Sequence, residues 1–297
     1  MPLPLAARLG FAPGERVAVL HVDDIGMCHG ANEGGFEALA RGPATCGSVM
    51  VPCPWFPDAA ERARANPAAD LGVHLTLNSE WDRYRWGPVA PRERVPSLLD
   101  DEGYLPKTLP EVLAKARPEE VEIELRAQVE RALGFGIDVT HLDAHMGTAL
   151  MPPFVGIYVR LAREYRLPVF VVRPSPQQLE AQGVSAAFAK IFAPIADALE
   201  RDGWPILDAF CADSLGFAPG RGLEHSRKRL DALPPGVSYF ITHAAKAGDE
   251  LHAATRGDAH AREFERTFWG GEAGRRELEA RGIRTVGMRA LRDLLRG

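Results

Sequence analysis

VAVLHVDD, residues 17–24, is an apolar, Val-rich run that stops abruptly at two carboxylates. A short Val/Ile/Leu-rich run marks a parallel strand buried on both faces by helices. Four further runs repeat the design: LGVHLTL (71–77), VTHLDAH (139–145), LPVFVVR (167–173) and VSYFITH (237–243). In barrels of parallel strands, chemistry gathers at the strands' C-terminal ends and in the loops just beyond. Asp23, Asp24, His145, Arg173 and His243 fall at that edge, and His74 lies within its strand. Endings of this kind in register point to one site, and the residue types point to a metal-dependent hydrolase.

Working outward, strand-like and helix-like segments alternate almost from end to end, the pattern of an α/β fold with a parallel sheet. Expected strands are Val17–Val22, Cys46–Val51, Gly72–Leu77, Val139–Asp143, Val169–Val172, Pro205–Ala209, Val237–Thr242 and Ile283–Val286. The helix opened by Pro118-Glu119-Glu120 carries acids in its first turn, where the helix dipole favours them. The reading is a single TIM-like (β/α) barrel over residues 1–297, with seven or eight parallel strands, distorted or incompletely closed. Residues 78–118 form the one long aperiodic stretch, rich in Pro, Trp, Tyr and Arg. So long a loop in a domain is usually functional, and it is expected to be a lid or substrate-binding excursion holding at most a short helix.

The chain has 35 basic and 40 acidic residues, a formal net charge of −5, without long single-sign blocks. That lacks the basic stripe of a nucleic-acid binder. No run approaches a transmembrane helix in length, and the Pro-broken N-terminus lacks the apolar core of a signal peptide. Cys28, Cys46, Cys53 and Cys211 lack C-x-x-C spacing and read as buried small hydrophobes. The expected setting is cytoplasmic, with a small-molecule partner, no nucleic acid and no membrane span; a homo-oligomer is left open.

Adjacent carboxylates at a strand end, Asp23-Asp24, point different ways, so one can hold a metal while the other handles a proton. His141, Asp143 and His145 recur at period 2 and face the same way if the stretch stays extended. Such a face packs poorly without partners; a metal supplies one, and alternatively an imidazole donates to Asp143, which then orients it. Arg173 needs a carboxylate, and the Asp23-Asp24 pair is the natural one if the strand ends converge. His243 is best used as a general acid. One Asp and two His with open positions suit Zn²⁺, Mn²⁺, Fe²⁺, Co²⁺ or Ni²⁺, whereas purely oxygen-rich Mg²⁺ sites look different. His21 and His29 are close enough to the Asp pair to line the pocket, while His225, His252 and His260 read as surface residues.

Taken in order, HVDDIGMCHGANEG, GSVMVP, DLGVHLTL, HLDAHMG and ITHAA resemble the YdjC/ChbG-type carbohydrate deacetylases. The resemblance implies a TIM-like barrel that removes the N-acetyl group from an amino sugar or N-acetylated oligosaccharide and releases acetate. By position it implies Asp24, His74 and His145 as ligands of one divalent metal ion, zinc or magnesium. It implies Asp23 as base, His243 as acid and, more loosely, Arg173 as the group that fixes the base. Gly147 stands where many relatives have a second His, and Ala244 where Pro often follows the late His, which bears on the substrate. Trp81, Tyr84, Trp86 and Tyr104 would either stack on sugar rings or pack the excursion onto its own body. The rival readings are another metal-dependent barrel enzyme, such as a sugar isomerase or other amidohydrolase, and a sugar-binding barrel without turnover.

Overall fold

Alternation along the first strand separates the inside of the molecule from the outside. The computed structural model describes residues 3–173, 186–255 and 257–297. Strand β1 (Arg16–Ile25) sends Val17 and Val19 into an interior cluster with Cys46, Val237, Tyr239, Met288 and Leu291. Ala18, Leu20 and Val22 join the outer layer that the helices cover. Period-2 alternation makes His21 and Asp23 the next inward residues, and both are buried.

The other strands are β2 (Cys46–Val49), β3 (Leu71–Leu75), β4 (Val139–Ala144), β5 (Ala209–Cys211), β6 (Gly236–Thr242) and β7 (Ile283–Thr285). All pairings are parallel, in the order β4-β3-β2-β1-β6-β5, with β7 against the start of β1. Between β4 and β5, among the described residues, isolated bridges alone cross, Leu142 with Val169 and Val172 with Leu207. The sheet therefore curls into an incompletely closed barrel flanked by helices. Two expected strands, Val169–Val172 and Pro205–Ala209, shrink to those bridges, and regular pairing starts only at Ala209. The cause is local: the Val171 amide bonds back to the Val169 carbonyl at 2.8 Å, a three-residue turn that interrupts an extended ladder.

The helix Met288–Arg296 closes the bottom of the barrel with Met288 and Leu291. Arg289 and Arg292 both reach Asp138 just before β4. Across the interior, Gly72 faces the His141 ring so closely that a Cβ there would lie 2.6 Å from it. Gly72→Ala therefore overpacks a site whose neighbours are hydrogen-bonded in place, and should cost about 1–3 kcal/mol in denaturant unfolding. An unchanged midpoint would show that the ring can retreat.

Residues 78–118 contain the short turns Arg92–Arg94 and Pro96–Leu98 and the helix Leu109–Lys115, the latter started by a Thr108/Glu111 capping box. The excursion is tied down rather than free. Buried Glu124, on the helix Pro118–Gly134, accepts the amides of Val89 and Ala90 at 2.9 and 2.8 Å. Trp81 and Trp86 are buried against each other, and Trp86 donates to the Asn78 carbonyl. Their rings pack the excursion onto its own body. Among the described residues no helix is long and apolar enough to cross a membrane.

Candidate metal and catalytic site

Asp23 and Asp24 would face opposite ways in a regular strand. The β1–β2 register slips between Val22 and Ile25, and Asp24 adopts φ 65°. A bulge of this kind re-aims side chains at a strand end, and Asp is among the few non-Gly residues that enter left-handed backbone readily. Both carboxylates consequently approach His74: Nε2 lies 3.6 Å from Asp24 Oδ1 and 3.8 Å from Asp23 Oδ2.

His145 begins the turn after β4, and the backbone is left-handed at Met146 and Gly147 directly behind it. Glycine carries no Cβ penalty in that region, so Gly147 takes φ 68° without strain. Nδ1 of His145 stands 3.4 Å from Asp24 Oδ1 and 3.3 Å from His74 Nε2. Asp24 Oδ1, His74 Nε2 and His145 Nδ1 thus form a triangle with edges of 3.3, 3.4 and 3.6 Å. Tetrahedral ligands about 2.1 Å from a zinc ion stand about 3.4 Å apart. Asp24 Oδ1 is buried without a hydrogen-bond partner among the described residues, an arrangement that is costly unless something occupies the cradle. The donor set fits a divalent metal.

Each histidine is backed by a carboxylate. His74 Nδ1 donates to Asp143 Oδ2 at 2.9 Å, and Ser48 donates to the same oxygen at 2.9 Å. Glu80 Oε2, from the 78–118 excursion, holds His145 Nε2 at 3.0 Å. Carboxylate support of this type fixes the tautomer and ring orientation of metal-binding histidines. Burial alone would lower the His145 pKa, yet Glu80 and Asp24 outweigh it and push it up to about 10. Burial would likewise raise Asp24, and Arg262, with His145 and His243, holds it well below the usual carboxylate range. The cradle is strongly attractive to positive charge.

His243 follows β6. Its Nε2 points to Asp23 Oδ2 at 3.8 Å, and its Nδ1 meets Ser214 Oγ at 2.7 Å. Ser214 gives its proton to Glu265 Oε2 at 3.0 Å, so its oxygen accepts the Nδ1–H of His243. Glu265 also receives the His243 backbone amide at 2.6 Å. Burial, only partly offset by Arg229, raises the Glu265 pKa to about 7. Burial lowers the His243 pKa despite Asp24 and Asp23 nearby. The result is an imidazole with Nδ1 fixed and Nε2 free to exchange a proton.

Arg173 is corrected. It is exposed and pairs with Asp197 and Glu200 of the helix Ala186–Arg201, at 2.7 and 3.1 Å, with the turn at Val169–Val171 diverting it. The guanidinium beside the Asp pair is that of Arg262, on the helix Ala259–Trp269, which donates to Asp24 Oδ2 at 2.6 Å and to Asp258 at 3.1 Å. Arg262, Glu80, Ser214 and Glu265 escaped sequence reading because none ends a β-run; Glu80, three residues beyond LGVHLTL, carried the best signal. His21 lies fully buried beneath Asp23, and His29 sits at the rim with an exposed side chain. The four cysteines are free and buried.

A cavity of about 330 Å³ adjoins this constellation, lined by Asp23, Asp143 and His243 together with the apolar Leu150, Phe170 and Phe210. Trp81, Tyr84, Trp86 and Tyr104 are absent from its walls.

A crystal structure from Enterococcus faecalis V583 superposes with TM-score 0.76 at 24% identity, covering 93% of this chain and 99% of that one; the likeness there concerns the fold. A chitooligosaccharide deacetylase of Yersinia enterocolitica is 31% identical over 170 residues, 55% of this chain and 62% of that protein. A carbohydrate deacetylase of Thermus thermophilus is 39% identical over 245 residues, 82% of each chain. The family model described as YdjC-like protein matches residues 17–280, a span that holds every strand-end residue of the site, and the chain belongs to the YdjC-like family.

Proposed function

We propose that this protein hydrolyses the N-acetyl group of an amino sugar or N-acetylated oligosaccharide, releasing acetate, with one divalent metal held by Asp24, His74 and His145. The observation that carries the reading is the unpartnered Asp24 Oδ1 facing two carboxylate-backed imidazoles, with a base and an acid candidate beside it. The deacetylase relatives support the substrate class. Two nitrogens and one oxygen favour the zinc class of ions over magnesium. Four unpaired cysteines accord with a reducing, cytoplasmic setting.

A divalent cation in the cradle would acidify a water and polarise the acetamide carbonyl. Asp23 Oδ2 faces the same space and takes the proton of the attacking water. Across from it, the doubly protonated His243 ring, with Nδ1–H on Ser214 and its second proton on Nε2, gives that second proton to the departing nitrogen, without which an amine leaves poorly. Ser214 and Glu265 keep the imidazole turned so that Nε2, rather than Nδ1, meets the substrate. The cavity beside Asp23 and His243 receives the acyl group and the sugar ring, with apolar walls against the ring's C–H faces.

Acetate release from N-acetylglucosamine oligomers tests the reading. Turnover should appear with added Zn²⁺, fall to background after chelation and return on re-addition. Chelated protein that keeps full turnover would remove the metal from the reaction.

A further inference from the structure

Beneath Asp23 a file of buried side chains runs down the barrel interior, and its protons can be counted. At the foot, Asp70 accepts the Arg289 amide at Oδ2 (2.7 Å) and the Thr140 hydroxyl at Oδ1 (2.5 Å). Burial raises the Asp70 pKa, with Thr140 and Arg289 opposing it, and both oxygens act as acceptors. A threonine hydroxyl has one proton. With that proton given to Asp70, the Thr140 oxygen accepts from His141 Nδ1 at 2.9 Å. Burial, reinforced by His21, pushes the His141 pKa down to about 3. The ring is neutral, and its Nε2 is a bare lone pair. His21 Nε2, 2.9 Å away, must donate to it. The other nitrogen of His21, Nδ1, lies 2.6 Å from Asp23 Oδ1.

At that distance the contact is a hydrogen bond in which His21 Nδ1–H donates to the carboxylate, and Asp143 Oδ2 lies 3.8 Å from Nε2. The ring has little freedom: it stacks on Tyr239 at 4.8 Å and meets His141 edge-on at 5.0 Å. His141 in turn has room only because residue 72 is glycine.

We propose that His21 is the positioning residue of the base: it clamps Asp23 Oδ1 through Nδ1–H, presents Oδ2 to the attacking water, and is held in that orientation by the file of His141, Thr140 and Asp70. The file thereby supplies the fixing role that the sequence resemblance assigned to Arg173. This inference rests on Asp23 being the base, as proposed above.

The test uses full-length, metal-loaded protein and reads kcat, KM and metal content together. His21→Leu should lower kcat about 100-fold with KM and metal content unchanged, at the upper end for a residue that acts through another. His21→Asn, whose amide N–H stands in for Nδ1–H, should recover about tenfold of that loss. Thr140→Val, which leaves the His141 Nδ1–H without an acceptor, should lower kcat about fivefold, the worth of one buried hydrogen bond, and Thr140→Ser should restore it. Wild-type kcat in folded His21→Leu overturns the proposal, as does His21→Asn that is no better than His21→Leu. If His21→Leu does not fold, the Thr140 pair decides, and equal kcat in Thr140→Val and Thr140→Ser overturns it. Without any substrate, proton NMR should show a strongly downfield imidazole N–H that disappears in His21→Asn. Its absence from the wild type overturns the clamp. Inactive Asp23→Asn beside fully active His21→Leu defeats this inference alone, whereas fully active Asp23→Asn defeats the reading beneath it.

Discussion

Asp23→Asn is expected to lose about 10³-fold in kcat, within the range for removing a positioned base, while keeping its fold and its metal. The separation of those effects follows from geometry. The proposed metal triangle is made of Asp24, His74 and His145, and Asp23 meets it only at arm's length, 3.8 Å from His74 Nε2. Asparagine has the same shape as aspartate and can still engage His21, so neither the bulge at β1 nor the buried file below need move. What disappears is basicity at Oδ2, the one oxygen that faces both His74 and His243. Acetate release at saturating substrate, with metal content measured on the same samples, checks the result. Unimpaired turnover in a folded, metal-bearing Asp23→Asn protein would exclude Asp23 as the base. Loss of metal would instead make it a ligand and require the triangle to be redrawn.

Barrel strands announce themselves because burial on both faces demands apolar runs, and β1, β3, β4 and β6 stand where those runs lie. Convergence at one edge brings Asp23, Asp24, His74, His145 and His243 together, as the runs in the sequence imply. Run LPVFVVR failed for a reason periodicity does not show. It is apolar enough for a strand, but a backbone turn inside it breaks the ladder and swings Arg173 towards a helix. Arg262 and Glu265 were invisible for the converse reason. They sit on a surface helix whose sequence resembles any charged helix, and only the packing of that helix over the strand ends brings them to Asp24 and His243. Reading HLDAH as one polar face was partly right. Asp143 does orient an imidazole, that of His74 on the neighbouring strand, whereas His141 faces His21 in the interior. The aromatic residues of 78–118 read equally as lid packing or sugar platform, because both need large apolar rings; burial of Trp81 and Trp86 favours the first.

Asp24→Ala should abolish both metal retention and turnover, and it should also destabilise the protein, for two separable reasons. The two oxygens of Asp24 have different tasks. Oδ1 points into the triangle without a hydrogen-bond partner among the described residues, and Oδ2 accepts from Arg262 at 2.6 Å. Removing the carboxylate takes one of three ligands from the proposed metal site, and among the described residues it leaves the buried guanidinium paired with Asp258 alone. Breaking a buried pair from one side typically costs about 3–5 kcal/mol, because the surviving charge stays desolvated; the Asp258 contact should keep this case near the lower figure. Replacing both partners is a different experiment. In Asp24→Ala/Arg262→Met the buried charge is gone along with its partner, and an apolar chain fills its volume, so most of the lost stability should return. Turnover should not return, since the missing ligand is still missing. Unfolding midpoints of the wild type, both single variants and the double variant form a cycle that isolates the coupling between the two residues. A double variant as unstable as Asp24→Ala would show that the cost comes from the metal site rather than from Arg262. An Asp24→Ala protein that still holds its ion would remove Asp24 from the ligand set.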